Sequence, residues 1–236
     1  LAELIDKTRF AVSTEETRYY LNGIYLHAQP EKGKTFLRAV ATDGHRLARY
    51  ETPAPKGAAE IPGIIVPRKT VNEVRKLLED IEDAVDISVS ETKIKFALGS
   101  VTMTSKLIDG TFPEYQRVIP TGNDKALEVV RDEFKDAIDR VSTVSTEKSR
   151  AVKFNLEKGK LTLSVVSPEA GTATEEITTD YKSAPIEIGF NARYIMDILE
   201  RIDGPKANFL FSDAGSPTLV RDSEGDAALY VLMPMR

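Results

Sequence analysis

"FLRAVATDGHRLARYE", Phe36 to Glu51, places two alternating runs on either side of Asp43-Gly44. Alternation of apolar and polar residues is the period of a half-buried strand, and Asp-Gly is favoured in a two-residue turn between antiparallel strands. The stretch therefore reads as a β-hairpin, with Thr42 opposite His45, Ala41 opposite Arg46 and Val40 opposite Leu47. One face carries Leu37, Ala39, Ala41, Ala48 and Tyr50, broken only by Arg46 near the tip. The same register sets Arg38 against Arg49, an unfavourable like-charge pair. The competing reading is an acid–base pair, Asp43 with His45. It needs a third orienting group plus a nucleophile or a metal, and the neighbouring sequence offers neither. The other histidine, His27, stands alone in a strand pattern. A left-handed turn position already accounts for Asp43. The hairpin presents a surface; it does not react.

Outward from the hairpin, the chain repeats itself. Val12–Arg18 (VSTEETR) recurs as Val144–Arg150 (VSTEKSR), with five identities in seven at a spacing of 132, each copy directly following a helical pattern. Four helices are predicted from apolar spacing. They run through Leu1, Leu4, Ile5, Thr8, Ala11 and Val12; through Val71, Val74, Leu77, Leu78 and Ile81; through Phe134, Ala137, Ile138, Val141 and Val144; and through Ile195, Ile198, Leu199 and Ile202. The second and fourth align at a constant spacing of 122, Leu77 with Leu199 and then Ile87 with Phe209. Short alternating runs fill the intervals, among them Val85–Leu107, Val152–Val166 (turning at Lys158-Gly159) and Asn208–Val220. Single strands, GIIVP, ALEVV and IEIGF, precede the last three helices. The unit is strand, helix and three strands, twice in each half, which makes the fold α+β and antiparallel. The first copy lacks its leading strand, which suggests truncation. The cluster of Pro, Gly, Asn and Asp near Thr121–Asp124 predicts a boundary, giving domains 1–121 and 122–236.

Composition narrows the function. The 236 residues carry a formal charge of −5, and residues 1–120 balance 17 basic against 17 acidic groups. Overall charge therefore gives no nucleic-acid signal, and any such signal must be local. There is no cysteine, which excludes disulfides, thiolate catalysis and thiolate zinc sites. No apolar run approaches a membrane span, and no targeting segment is recognisable.

"ATDGHRLA" (41–48) closely resembles the most recognisable motif of the bacterial DNA sliding clamp family, the beta subunit of DNA polymerase III. So do "RYYLNGIYL" (18–26), "VPRK" (66–69), "TSKLIDGTFPEYQRVIP" (104–120) and "YVLMPMR" (230–236), in family order over nearly the whole chain. The match is to the second and third of the family's three domains. It implies the DNA clamp fold: two tandem domains, each a duplicated β-α-β-β-β unit with helices on one side of antiparallel sheets. It implies a non-enzymatic, cytoplasmic processivity factor. The partners implied are duplex DNA, encircled without sequence preference by a homodimeric ring, and DNA polymerases, the clamp loader and repair proteins, which bind through short linear motifs. It implies no cofactor, no metal, no catalytic residue and no membrane partner. In the family the ring closes near the positions of Thr143–Val144.

By the same resemblance, partner peptides dock in a pocket between the two domains. Its walls are Leu21, Thr42, Gly44, His45, Arg46, Leu47, Pro113, Arg117, Val118, Tyr194, Pro217, Val231, Leu232, Met233, Pro234, Met235 and Arg236. Methionine-rich apolar floors repack around different ligands, and Arg46, Arg117 and His45 supply polar contacts at the rim. Pro217 stands where the family often has a small polar residue. Read without the family, Leu47, Val118, Val231 and Leu232 are ordinary core positions. The second helix, with Arg68, Lys69, Arg75 and Lys76 around its polar side, is the implied DNA-facing element. The plainer reading of these four is a solvated charged face. The third helix opposes the trend with Asp132, Asp136 and Asp139, and the fourth mixes Arg193 and Arg201 with Asp197 and Glu200. Loose phosphate contact suits this balance better than tight binding. Two other classes compete with the clamp: a duplicated protein-interaction module without DNA contact, and a small-molecule enzyme using Asp43 and His45.

Overall fold

Apolar side chains at every second residue need a partner layer, and each half of the chain provides one by pairing two copies of the same unit. The computed structural model describes residues 1–81, 83–145 and 150–235. Two compact units, Leu1–Glu114 and Tyr115–Arg236, divide the chain. In the first, α1 (Ala2–Asp6) leads to β1 (Gly23–Glu31), β2 (Lys34–Thr42) and β3 (Arg46–Pro53). Then come β4 (Ile64–Pro67), α2 (Arg68–Leu77), β5 (Asp86–Val89), β6 (Lys93–Leu98) and β7 (Val101–Lys106). Its sheets run β4-β1-β2-β3 and β5-β6-β7.

The second unit repeats the pattern, beginning with β8 (Lys125–Val130), α3 (Arg131–Ser142), β9 (Ala151–Glu157), β10 (Lys160–Ser167) and β11 (Gly171–Thr178). It continues with β12 (Ile186–Asn191), α4 (Ala192–Leu199), β13 (Lys206–Phe211), β14 (Thr218–Asp222) and β15 (Ala228–Leu232). Its sheets run β11-β10-β9-β12 and β15-β14-β13-β8. Leading strands cross between copies: β4 pairs with β1, β12 with β9 and β8 with β13, all antiparallel. The spacing of 122 is visible as two helices ending at equivalent residues, Leu77 and Leu199. In the second copy of the seven-residue repeat, residues 146–149 lie outside the described residues.

The alternation in β9 and β10 sends Val152, Phe154, Leu156, Leu161 and Leu163 inward to complete burial. Above them α3 buries Phe134, Ala137, Ile138 and Val141, four of the five positions its period named. Phe154 is the hub: its ring centroid lies 5.7 Å from Phe134, 5.2 Å from Phe190 and 6.5 Å from Phe209, in edge-to-face contacts. The helical periods overshoot at their ends. The first helix stops at Asp6 because Thr8 leaves helical geometry, its Oγ1 donating to the Leu4 carbonyl at 2.5 Å. The second gives way to a 3₁₀ turn, Leu78–Asp80, and Ile81 is extended. The Thr121–Asp124 cluster, expected to separate the domains, falls inside the second unit. Asn123 is tied there, its Nδ2 donating to the carbonyls of Leu210 (2.7 Å) and Pro217 (2.9 Å).

The hairpin register differs from the two-residue turn. Thr42 pairs with Leu47, Ala41 with Ala48 and Val40 with Arg49. Only Gly44 in the turn has positive φ, at 89°, so Asp43 is not left-handed. The longer loop has a physical cause: Asp43 Oδ1 accepts from the backbone N–H groups of both His45 (2.9 Å) and Arg46 (3.1 Å). The shift also removes the like-charge clash, since Arg38 now faces Glu51. Arg38 pairs with that carboxylate and with Glu31 at 2.7 Å.

His27, opposite Arg38 on β1, is no catalytic remnant. Its ring stacks on Tyr25 at 4.8 Å, and Tyr25 stacks on Phe112 at 4.8 Å. Gly63 is required beside this stack, because a Cβ there would sit 2.2 Å from the Tyr25 hydroxyl. Burial holds the His27 imidazole below its ordinary pKa; the Ala28 carbonyl opposes this, and the Arg38 charge adds to it. The unfolded chain takes up a proton near pH ~6.5 that the folded chain resists. Stability contributed by neutral His27 is thus full above about pH 6.5 and is lost as pH falls towards the depressed folded value. Urea midpoints measured from about pH 7.5 to 5.5 should fall for the native chain and flatten in His27→Gln. A second expectation concerns the core: Phe154→Ala should cost about 3–5 kcal/mol in chemical denaturation.

Candidate functional site

In the first unit, the hairpin tip is a braced turn. The Thr42 hydroxyl donates to the Arg46 carbonyl (2.7 Å) and accepts from the Gly44 N–H (3.1 Å). Asp43 Oδ2 receives Arg46 Nε at 3.1 Å, while Arg46 Nη2 donates to the Phe10 carbonyl at 2.7 Å. The same guanidinium lies 5.1 Å from the Phe10 ring centroid. Arg46 is therefore buried, and its Nε and Nη2 hold the tip to Asp43 and to the Phe10 segment. Gly44 is pressed against Arg18, whose Nη1 would lie 2.5 Å from an added Cβ. Arg18 is in turn held by Glu15 at 2.6 and 2.8 Å, which raises its pKa. Sequence reading left Arg18 and Phe10 out of the site; "RYY" beside the turn was the available signal for Arg18.

The other tip and floor residues divide by exposure. Gly44, His45 and Pro113 are exposed, Thr42 is half-buried, and Leu21 and Leu47 are core residues. In the second unit Arg117 and Val118 lie on an exposed 3₁₀ turn, Tyr115–Val118. Val231 and Leu232 are buried in β15. The chain emerges directly after them. Met233 and Met235 are 38% and 41% exposed, with Pro234 between them. The terminal run is not loose, since the Met235 N–H donates to the Gly189 carbonyl at 2.8 Å. Pairing of Thr218 with Leu232 brings Pro217 beside the start of this run, and α4, which carries Tyr194, packs on β15. Arg236 lies outside the described residues.

The four basic residues of α2 differ in kind. Arg68 and Lys69 are exposed on the first turn and make no ion pair among the described residues. Arg75 is committed to Asp6 at 2.7 Å, with Glu79 at 3.7 Å, and staples α2 to α1. Lys76 is exposed and sits 3.1 Å from Glu73. On α3 the cations are also held locally, Arg140 by Glu175 at 2.5 Å and Arg131 by Asp132 at 2.8 Å. Its outward face keeps Asp132, Asp136 and Asp139 exposed. Among the described residues, the exposed helix cations without an ion pair are Arg68 and Lys69 at the start of α2 and Arg193 at the start of α4.

The family model of the DNA polymerase III beta subunit, central domain, matches residues 1–114, and that of its C-terminal domain matches residues 116–236. The chain belongs to the bacterial DNA polymerase III beta-subunit family. The beta sliding clamp of Caulobacter vibrioides is 57% identical over all 236 residues, and the chain spans 63% of that relative's length. A crystal structure of the C. crescentus beta sliding clamp, with PEG at a region its authors call the putative beta-motif tethering region, superposes with a TM-score of 0.98 at 57% identity. That match covers 100% of this chain and 62% of the other. A Bartonella birtlesii sliding clamp bound to griselimycin gives 0.97 at 53% identity, covering 100% and 63%. The expected clamp fold, two tandem domains of antiparallel sheets and helices, is the fold observed.

Asp43 has its oxygens engaged by two backbone N–H groups and one guanidinium, which makes it a structural brace. Asp43→Ala should lower stability by about 0.5–1.5 kcal/mol by removing the exposed and part-buried hydrogen bonds that close the turn. Amide exchange of residues 44–46 should accelerate more than that of the rest of β2 and β3, as read by hydrogen-exchange mass spectrometry.

Proposed function

We propose that this chain supplies the middle and C-terminal domains of a sliding clamp, a non-enzymatic processivity factor of bacterial DNA replication. The ring encircles duplex DNA in the cytoplasm and tethers polymerases and repair proteins through short peptide motifs. Family membership over the whole chain supports the reading. The observation that carries it is the state of the Asp-Gly-His motif: its carboxylate is consumed in shaping a turn, which leaves a presenting surface and no acid–base pair. The accessible candidates in each unit are the peptide contacts: Gly44, His45 and Pro113 in the first, and Arg117, Val118, Met233 and Met235 in the second. DNA contact is assigned to the start of α2, where Arg68 and Lys69 carry the uncommitted charge. Topology retains the DNA, so weak, sequence-independent contact suffices. Among the described residues no helix is long and apolar enough to cross a membrane.

Affinity follows from the surfaces available. Two apolar anchors give roughly 1.5–3 kcal/mol each, and a few hydrogen bonds about 0.5–1.5 each. Ordering the peptide takes back part of this, leaving a dissociation constant near or above micromolar. Deleting Met233–Arg236 should abolish binding of a labelled polymerase-tail peptide while β15 and the circular dichroism spectrum persist. Unchanged affinity in the folded truncation rejects the peptide site. Arg68→Glu with Lys69→Glu should weaken duplex DNA binding and leave peptide affinity intact. Peptide binding without any stimulation of primed-template synthesis by the full-length protein would favour the interaction-module reading.

A further inference from the structure

The β5-β6-β7 sheet has an outward face that the clamp reading does not use. Alternation turns Ile94, Phe96 and Leu98 of β6 inward to burial and leaves Lys93 and Lys95 exposed. Pairing sets Lys93 directly opposite Lys106 of β7, and sets Lys95 between Ser88 of β5 and Thr104 of β7. The exposed face thus holds three ammonium groups among Ser88, Thr102 and Thr104, with Asp86 at one end and Glu91 in the β5–β6 turn. None of the three lysines has an ion pair among the described residues. A like-charge pair directly across a ladder is unfavourable and needs another cause to explain its presence.

The second unit is an internal control. Its corresponding sheet, β15-β14-β13-β8, also carries a cation on each of its two central strands, but each meets a carboxylate. Lys206 meets Glu128 at 2.5 Å, and Arg221 meets Asp226 at 3.2 Å. Protection against edge-to-edge aggregation accounts for a lysine on an edge strand such as β7, but not for Lys93 and Lys95 on central β6. The geometry points to this face as a second anion-binding surface, whose occupant is the phosphate backbone of duplex DNA.

Side-chain chemistry selects that occupant. Lysine meets phosphate as a point charge, and neutralising the phosphates of a duplex releases its condensed counterions, a gain that an isolated carboxylate does not offer. This face has lysines and hydroxyl donors but no arginine. It has no aromatic side chain on which an unpaired base could stack, so single strands gain nothing there. Contact is therefore to the backbone, without sequence preference.

The test is fluorescence anisotropy of a labelled linear duplex titrated with the 236-residue chain over a range of salt. Each lysine on a phosphate contributes about 0.9 to the slope of log affinity against log salt. Lys93→Gln/Lys95→Gln/Lys106→Gln should weaken binding and reduce the slope by about 2.7. Lys206→Gln/Arg221→Gln should change neither. Neutralising Lys93 and Lys106 removes a repulsion, so the triple variant should melt no lower than the native chain. If it does melt lower, Lys93→Gln/Lys95→Gln carries the test, with a slope change of about 1.8. The effect should add to that of Arg68→Glu/Lys69→Glu, which separates the sheet from the α2 contact. Unchanged slope and affinity in either folded sheet variant overturns the proposal. So does tighter binding of single strands than duplex at these lysines, or binding of polyglutamate that depends on them while duplex binding does not.

Discussion

Each β-α-β-β-β copy is too small to cover its own helix and sheet, and this constraint organises the molecule. The described leading strands do not stay with their own copy: β4 joins β1, β12 joins β9, and β8 joins β13. Crossing in this way locks two copies into one unit and gives each helix a sheet beneath it. The Phe154 cluster shows the result, since its partners Phe134, Phe190 and Phe209 come from α3, β12 and β13. Sequence-distant aromatics meet because the strands carrying them are exchanged.

Such a frame leaves the turns free to differ, and the hairpin tip is where chemistry has been placed. A carboxylate, a glycine and a histidine in close succession suggest reactivity when read in isolation. In the folded chain the carboxylate closes a longer loop, the glycine yields space to Arg18, and Arg46 turns back to Phe10. Rigidity at the tip is achieved with buried charge and hydrogen bonds, so the exposed residues Gly44 and His45 are presented on a fixed scaffold. The carboxyl-terminal run follows the same logic. Its buried pair Val231 and Leu232 anchors an exposed pair, Met233 and Met235, and the Met235 amide is tied to Gly189.

Charge is distributed with equal economy. Basic residues counted along α2 look alike, yet only Arg68 and Lys69 are uncommitted, because Arg75 is stapled to Asp6 and Lys76 lies beside Glu73. The β5-β6-β7 sheet and its counterpart β15-β14-β13-β8 differ more sharply: Lys206 and Arg221 of the latter meet carboxylates, while the lysines of the former are unmatched among the described residues. A chain with net charge −5 can therefore offer local positive faces without being basic as a whole.

Periodicity alone determined the duplicated unit, the number and order of the strands and the faces of the helices, because each is written in local spacing; the resemblance to the clamp family rested on short motifs such as ATDGHRLA. The core of α3 was legible to the residue, since burial of Phe134, Ala137, Ile138 and Val141 follows from a 3.6-residue period over a sheet. What spacing could not supply was anything set by a distant partner. The hairpin register moved because Asp43 competes for backbone N–H groups, and Arg38 found Glu51 instead of Arg49. Helix ends moved because Thr8 bonds back to Leu4. The exposure of the candidate site residues, with Arg46 and Leu47 inside and Met233 and Met235 outside, was decided only by tertiary structure. A side chain's accessibility depends on which atoms from elsewhere in the chain arrive beside it, and no local pattern records that.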